Sequence, residues 1–111
     1  MVIAEDTLTA TGGGTEDTLV GANATASNFV LLVDRSNMES GDEIEIRVAV
    51  KVLAAGAEQT LLREVFQMHD ISLEEDPVLI TIPFPSRHSF SAYLTQITGT
   101  PRDFDWAVWQ L

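Results

Sequence analysis

The chain predicts an all-β fold, an antiparallel β-sandwich of jelly-roll-like form with about seven or eight strands and an extended N-terminal arm. Three observations carry that prediction. Residues 43–52, Glu-Ile-Glu-Ile-Arg-Val-Ala-Val-Lys-Val, place Ile or Val at every even position and a charge or Ala at every odd one. On a strand, successive side chains point to opposite faces, so this stretch has one β-branched face and one wetted face. Further short apolar segments recur between turn-forming clusters, and nowhere does a helical period win clearly.

Residues 1–27 differ from the remainder in composition: Thr, Ala, Gly and Asn dominate, and Gly12-Gly13-Gly14 interrupts any regular element. A short echo flanks the glycines, Glu5-Asp6-Thr7-Leu8 and Glu16-Asp17-Thr18-Leu19. Two Thr-rich strands would explain it, as a hairpin or as one broken edge strand. So would an extended arm ordered against a neighbouring subunit, because large apolar groups are sparse here. The division is thus residues 1–27, arm or edge strands, and residues 28–111, the sandwich.

Residues 28–34 form a continuous apolar run and predict a central strand buried on both faces. A turn-rich link with Ser36, Asn37, Ser40 and Gly41 leads to the alternating strand. Ala54-Ala55-Gly56-Ala57 turns the chain into a return strand over residues 59–68, making a hairpin. A helix over 57–68 competes on propensity, but the preceding strand offers an edge to pair with. Residues 69–76 read as acidic and irregular. Residues 77–82 predict a short strand stopped by Pro83-Phe84-Pro85. Residues 89–98 predict a strand with Phe90, Ala92, Leu94 and Gln96 on one side, and residues 104–111 predict the last one.

Composition excludes several classes of function. With no cysteine, neither a disulfide framework nor thiolate chemistry is available. Seventeen acidic against six basic residues give a net charge of −11, which repels phosphate backbones and anionic lipid; no nucleic-acid or membrane partner is expected. Adaptation to a salty medium, where screening removes self-repulsion, is an alternative source of such a charge. No apolar run approaches the roughly 18 residues of a membrane span, and the start lacks a basic segment followed by an apolar one, so a soluble protein made in a cytoplasm is expected.

Catalytic patterns are thin. Histidine occurs only at His69 and His88, and although Ser86, Ser89 and Asp70 lie nearby in sequence, no nucleophile-elbow pattern surrounds either serine. Calcium could be held by Glu74, Glu75 and Asp76, or by Asn37, Glu39 and Asp42, yet neither set has the spacing of a dedicated calcium loop. No enzyme activity, cofactor or metal is expected. Trp106 and Trp109, three apart on a strand, face opposite sides, so one belongs to the core and the other to a contact or to solvent. Phe84 is expected on a loop between its prolines. An exposed Trp109 or Tyr93 could also stack on a sugar ring.

The order of segments carries a resemblance. Thr15-Glu16-Asp17-Thr18-Leu19 precedes Phe29-Val30-Leu31-Leu32-Val33-Asp34-Arg35-Ser36-Asn37-Met38 and Gly41-Asp42-Glu43-Ile44-Glu45-Ile46-Arg47. Then come Ile80-Thr81-Ile82-Pro83-Phe84-Pro85-Ser86, Leu94-Thr95-Gln96-Ile97-Thr98-Gly99-Thr100 and Arg102-Asp103-Phe104-Asp105-Trp106. From about residue 15 onward this resembles small β-rich structural proteins of tailed bacteriophages. The resemblance implies a virion component, above all a capsid decoration (cement) protein. Such a protein is assembled in the host cytoplasm, binds the outside of an icosahedral shell as a homotrimer, and has the major capsid protein and its own copies as partners. A neck or tail component and a carbohydrate-binding or host-adhesion module are the alternatives. On the decoration reading, Val2, Ile3, Leu8, Leu19 and Val20 of the arm, with Phe84 and Trp109, are the expected contact residues.

Overall fold

The computed structural model describes residues 1–68, 78–81 and 83–111. Within them the chain forms nine strands and no helix: β1 (Val2–Thr9), β2 (Glu16–Asn23), β3 (Ser27–Asp34), β4 (Glu43–Lys51), β5 (Glu58–Gln67), β6 (Val78–Ile80), β7 (Phe84–Ser86), β8 (Phe90–Thr98) and β9 (Asp103–Gln110). One sheet, sheet A, runs β1-β9-β3-β6, with β7 also paired to β3; sheet B runs β2-β8-β4-β5. Every pairing is antiparallel.

β7 pairs with Ser27, Asn28 and Phe29, and β6 with Leu32, Val33 and Asp34, on the edge of β3 that β9 leaves free. They are therefore two pieces of one broken edge strand. Counted so, eight strands alternate between the sheets except at the β4–β5 hairpin, which is the connectivity of a jelly roll. Thr81 bridges the break. Its N–H donates to the Leu31 carbonyl at 3.0 Å, and its hydroxyl accepts from the Leu31 N–H at 3.0 Å. A side-chain oxygen thus replaces the missing main-chain acceptor, which leaves no buried Leu31 donor unpaired.

The core sits between the sheets. Phe29, Leu31 and Val33 of β3 meet Ile44, Ile46 and Val48 of β4 and Phe90, Ala92 and Leu94 of β8, all buried. At one end Phe29, Phe84 and Phe90 form a ring cluster across the two layers, with centroids 4.7 Å apart for Phe29–Phe90 and 5.4 Å for Phe84–Phe90, inside the range in which aromatic pairs attract beyond their area. The alternation in 43–52 does set the inner face of β4. It fails after Val48, where Ala49 is buried too, for a reason given below. Residues 58–67 are a strand, the competing helix losing to nine main-chain pairings with β4.

Residues 1–27 do not form a free arm. β1 pairs with β9 through Val2↔Trp109 to Thr9↔Asp103, and β2 pairs with β8 through Glu16↔Thr95 to Asn23↔Phe90. They are neither a hairpin nor one interrupted strand but the outer strand of each sheet, and the sparse apolar content that suggests an arm is what an edge strand needs. The echoed motifs occupy matching places. Glu5 and Glu16 face outward opposite Ala107 and Thr95, while Asp6 and Asp17 fall on the inward side opposite Trp106 and Leu94. Extra residues bulge out at Ile3, at Leu19 and at Leu61 of β5, where the registers shift.

The end remote from the ring cluster is closed by polar groups. Asp42, 3% exposed, accepts from the Glu39 N–H at 2.8 Å and from Arg102 Nε at 2.9 Å. Buried Gln96 donates to the Thr98 and Thr100 carbonyls at 3.2 and 2.7 Å and accepts from the Arg102 N–H at 3.0 Å. The β3–β4 and β8–β9 links are therefore locked together. Gly99 lies against this lock with φ +95°, and a Cβ there would sit 1.9 Å from Asp42 Oδ1. Gly13 also has positive φ, but nothing lies within 4 Å of the same atom. Gly99→Ala should accordingly lower stability by about 3 kcal/mol or more, through strain plus displacement of a buried carboxylate. Gly13→Ala should cost about 1–2 kcal/mol, from backbone strain alone. Urea unfolding midpoints of the two variants test the difference.

Candidate functional site

The two outer faces of the sandwich differ in how their charges are used. On sheet B, the Arg47 guanidinium makes a two-point pair with Glu16, Nε–Oε2 at 2.9 Å and Nη2–Oε1 at 2.8 Å. It also donates to Thr60 Oγ1 at 3.1 Å and lies 4.1 Å above the centre of the Tyr93 ring. One side chain on β4 thus ties β2, β8 and β5 together across the whole sheet. Glu58 of β5 reaches over β4 to accept from Ser91 Oγ of β8 at 2.8 Å, and Ser91 Oγ accepts from the Ala22 N–H of β2 at 2.9 Å. Ala49 lies beneath this second tie, which explains its burial and the need for a small residue there. Arg63 pairs with Glu45 at 3.6 Å, and Gln67 donates to Glu43. The carboxylates of this face already have donors.

Sheet A presents a different surface. Directly paired residues share a face, so the register arranges its outer side in rows. Val2, Trp109 and Val30 form an apolar row; Glu5, Ala107 and Leu32 form the next; Thr7, Asp105, Asp34 and Val78 form the third. Trp109 is 44% exposed and Val78 equally so. A shallow hollow lined by Glu5, Leu32, Asp34, Val78, Asp105, Trp106 and Ala107 joins the rows. The Thr7 and Thr9 hydroxyls donate to Asp105 and Asp103, each at 2.6 Å. An indole edged by aliphatic groups has the chemistry of a recognition surface, since such residues bury large area with little loss of side-chain freedom.

The structure sorts the expected contact residues. Val2 and Trp109 come together as register partners on this face. Ile3, Leu8 and Leu19 pack against the core, and Val20 is buried. Phe84 is not a loop aromatic: it is 2% exposed within the ring cluster. Flanking prolines suggest a loop, but an edge strand tolerates proline, and Pro85 pairs with Asn28 on just such an edge. Tyr93 is covered by Arg47 and offers no open ring. Trp106 lies on the inward side and packs on the core. Residues 28–34 are covered on one face only, so Val30 and Leu32 belong to the surface that the sequence reading assigned to the interior. The signal was present: an apolar run on both faces needs two covering layers, and a sandwich supplies one. A second apolar point, Val52 and Leu53 at the tip of the β4–β5 hairpin, is 73% and 70% exposed.

Of the groups considered for chemistry, His69, Asp70, Glu74, Glu75 and Asp76 lie outside the described residues. Ser86 and Ser89 are buried, and neither hydroxyl is hydrogen-bonded to a histidine. Asn37, Glu39 and Asp42 do not converge on a cation: Asp42 is taken up by Arg102, and Asn37 donates to the Asp103 carbonyl at 3.0 Å. Among the described residues no group of three or more metal-ligating side chains gathers, and no helix is long and apolar enough to cross a membrane. No known protein family, curated protein or solved structure matches the chain.

The hydrogen bond from Arg47 holds the Glu16 carboxyl below its ordinary value of 4.5, and Arg47 is in turn pushed up, first by its bond to Glu16. A depressed carboxyl pKa contributes stability that is complete above the unfolded value and disappears as pH falls through the folded one. Glu16→Gln should therefore lower stability by less than about 1 kcal/mol at neutral pH, since the pair is partly exposed. The gap between variant and parent should close as pH falls below the ordinary carboxyl range. Urea midpoints of both proteins across that range provide the measurement.

Proposed function

We propose that this chain is a non-enzymatic structural component of a tailed-phage virion, a decoration protein that seats on the outside of the capsid and braces joints between shell subunits. The resemblance in segment order favours a phage origin. The jelly-roll architecture is compatible with it by analogy only, since viral capsid and lectin domains both use it. The observation that carries the contact is the row Val2, Trp109 and Val30 on the outer face of sheet A. Many copies, as trimers on a closed lattice, would each bury a modest apolar area, and small free energies would sum over the shell. Strand exchange by an N-terminal arm has no part in this mechanism, because β1 and β2 are already paired inside the domain.

A sugar-binding role is the second reading because Trp109 is an open aromatic on an outer sheet face, and an exposed indole can stack on a pyranose ring. The two separate cleanly in binding experiments. Decoration predicts that the protein co-sediments with expanded shells of its phage, and that Trp109→Ala weakens this at least about tenfold while leaving the urea midpoint nearly unchanged. Adhesion predicts instead reproducible binding on a glycan array that Trp109→Ala abolishes, with no attachment to shells.

A further inference from the structure

The rows around Trp109 say something about the chemistry of whatever covers them. Every titratable strand residue on the outer face of sheet A is acidic: Glu5, Asp34, Asp103 and Asp105. None of the strand residues there is Lys or Arg. Asp34 and Asp105 are direct cross-strand partners, an arrangement of like charges that opposes pairing of the two strands. Among the described residues, Asp34 accepts from the Ser36 N–H at 2.8 Å and Asp105 from the Thr7 hydroxyl, both neutral donors. Net charge does not account for this. On sheet B the same acidic chain gives Glu16 and Glu45 an arginine each. A like-charge pair that the described strand residues of this face do not offset is a place where a cation from outside gains directly.

We infer that the outer face of sheet A docks a protein surface with an apolar recess for the Trp109 indole and lysine or arginine side chains set opposite Asp34 and Asp105. This rests on the reading of that face as the attachment surface and names its partner's chemistry. A second copy of the chain is a poor occupant, because it would bring acidic rows against acidic rows. A basic partner relieves the Asp34–Asp105 repulsion on contact and gains directional pairing, while the apolar row beside it sets the register. Charge on the rim of the indole should act mainly on encounter and salt dependence, and the indole on residence time.

The probe is a fluorescent extended peptide of alternating leucine and lysine, titrated against the whole protein by anisotropy. Binding should weaken steeply between about 0.05 and 0.5 M salt. Trp109→Ala should weaken it about tenfold. Asp34→Asn with Asp105→Asn should weaken it similarly and flatten the salt dependence, while raising the urea midpoint by removing the repulsion. Glu43→Gln with Glu45→Gln, the same change in net charge on sheet B, should alter affinity less than about twofold. Equal losses from the two double variants would show attraction to overall charge and overturn the assignment. So would equal binding of a serine–lysine peptide, or a dimer in sedimentation that Trp109→Ala dissociates. If shells bind through Trp109 but ignore the Asp34 and Asp105 changes, the decoration reading stands and this inference falls. If the peptide behaves as stated and shells do not bind, the reverse holds.

Discussion

The seam between the sheets is what every other part of this molecule depends on. β3, β4, β8 and β9 each contribute an inward row with essentially no exposed surface, Phe104 and Val108 on β9 included, and together they hold the two layers in one body. The seam is finished differently at its two ends. Three phenylalanines close one end, where rings from both sheets interlock. At the other, Asp42, Gln96 and Arg102 join two loops by bonds that leave none of their buried polar atoms stranded. The apolar end gives cohesion without direction, whereas the polar end fixes which loop meets which. Gly99 is the geometric condition for the second, since only a hydrogen in place of Cβ lets the β8–β9 link approach the carboxylate.

Much of this was readable from residues alone wherever one face is buried and the other wet. The alternation in 43–52 and the set Phe90, Ala92, Leu94 and Gln96 named inner faces correctly, because a register slip of one residue would move every side chain to the wrong side. The jelly-roll-like, all-β class followed from those strands and from the turns between them. Legibility ended where the same pattern has two physical meanings. Sparse apolar content over residues 1–27 suits a detached arm as well as a pair of edge strands, and only the partners on β8 and β9 decide. A phenylalanine between prolines resembles a loop tip until an edge position makes proline harmless. Continuous aliphatic sequence over 28–34 hides which half is core and which half is surface, so the apolar row around Trp109 was only half visible, through Val2 and Trp109 themselves.

The two outer faces show how one acidic composition can be put to opposite uses. On sheet B, Arg47 and Glu58 span several strands, and charge becomes internal scaffolding. On sheet A, among the described residues, Asp34, Asp103 and Asp105 stand beside aliphatic groups and take hydroxyl or amide donors. Arg47 and Arg63 serve sheet B and Arg102 the Asp42 lock, so the two outer faces differ in how their carboxylates are satisfied.

The bulges at Ile3, Leu19 and Leu61 have a consequence beyond local twist. They sit on β1, β2 and β5, the three unbroken outer strands, and each of those strands also turns one acidic side chain inward, Asp6, Asp17 and Glu64. The fourth boundary is the interrupted β6/β7 ladder with its prolines. A rim spoiled in this way cannot template the next chain, because a docking strand would meet a kink or a misplaced carboxylate within a few residues. At high density such rims therefore disfavour edge-to-edge growth of one sheet onto the next.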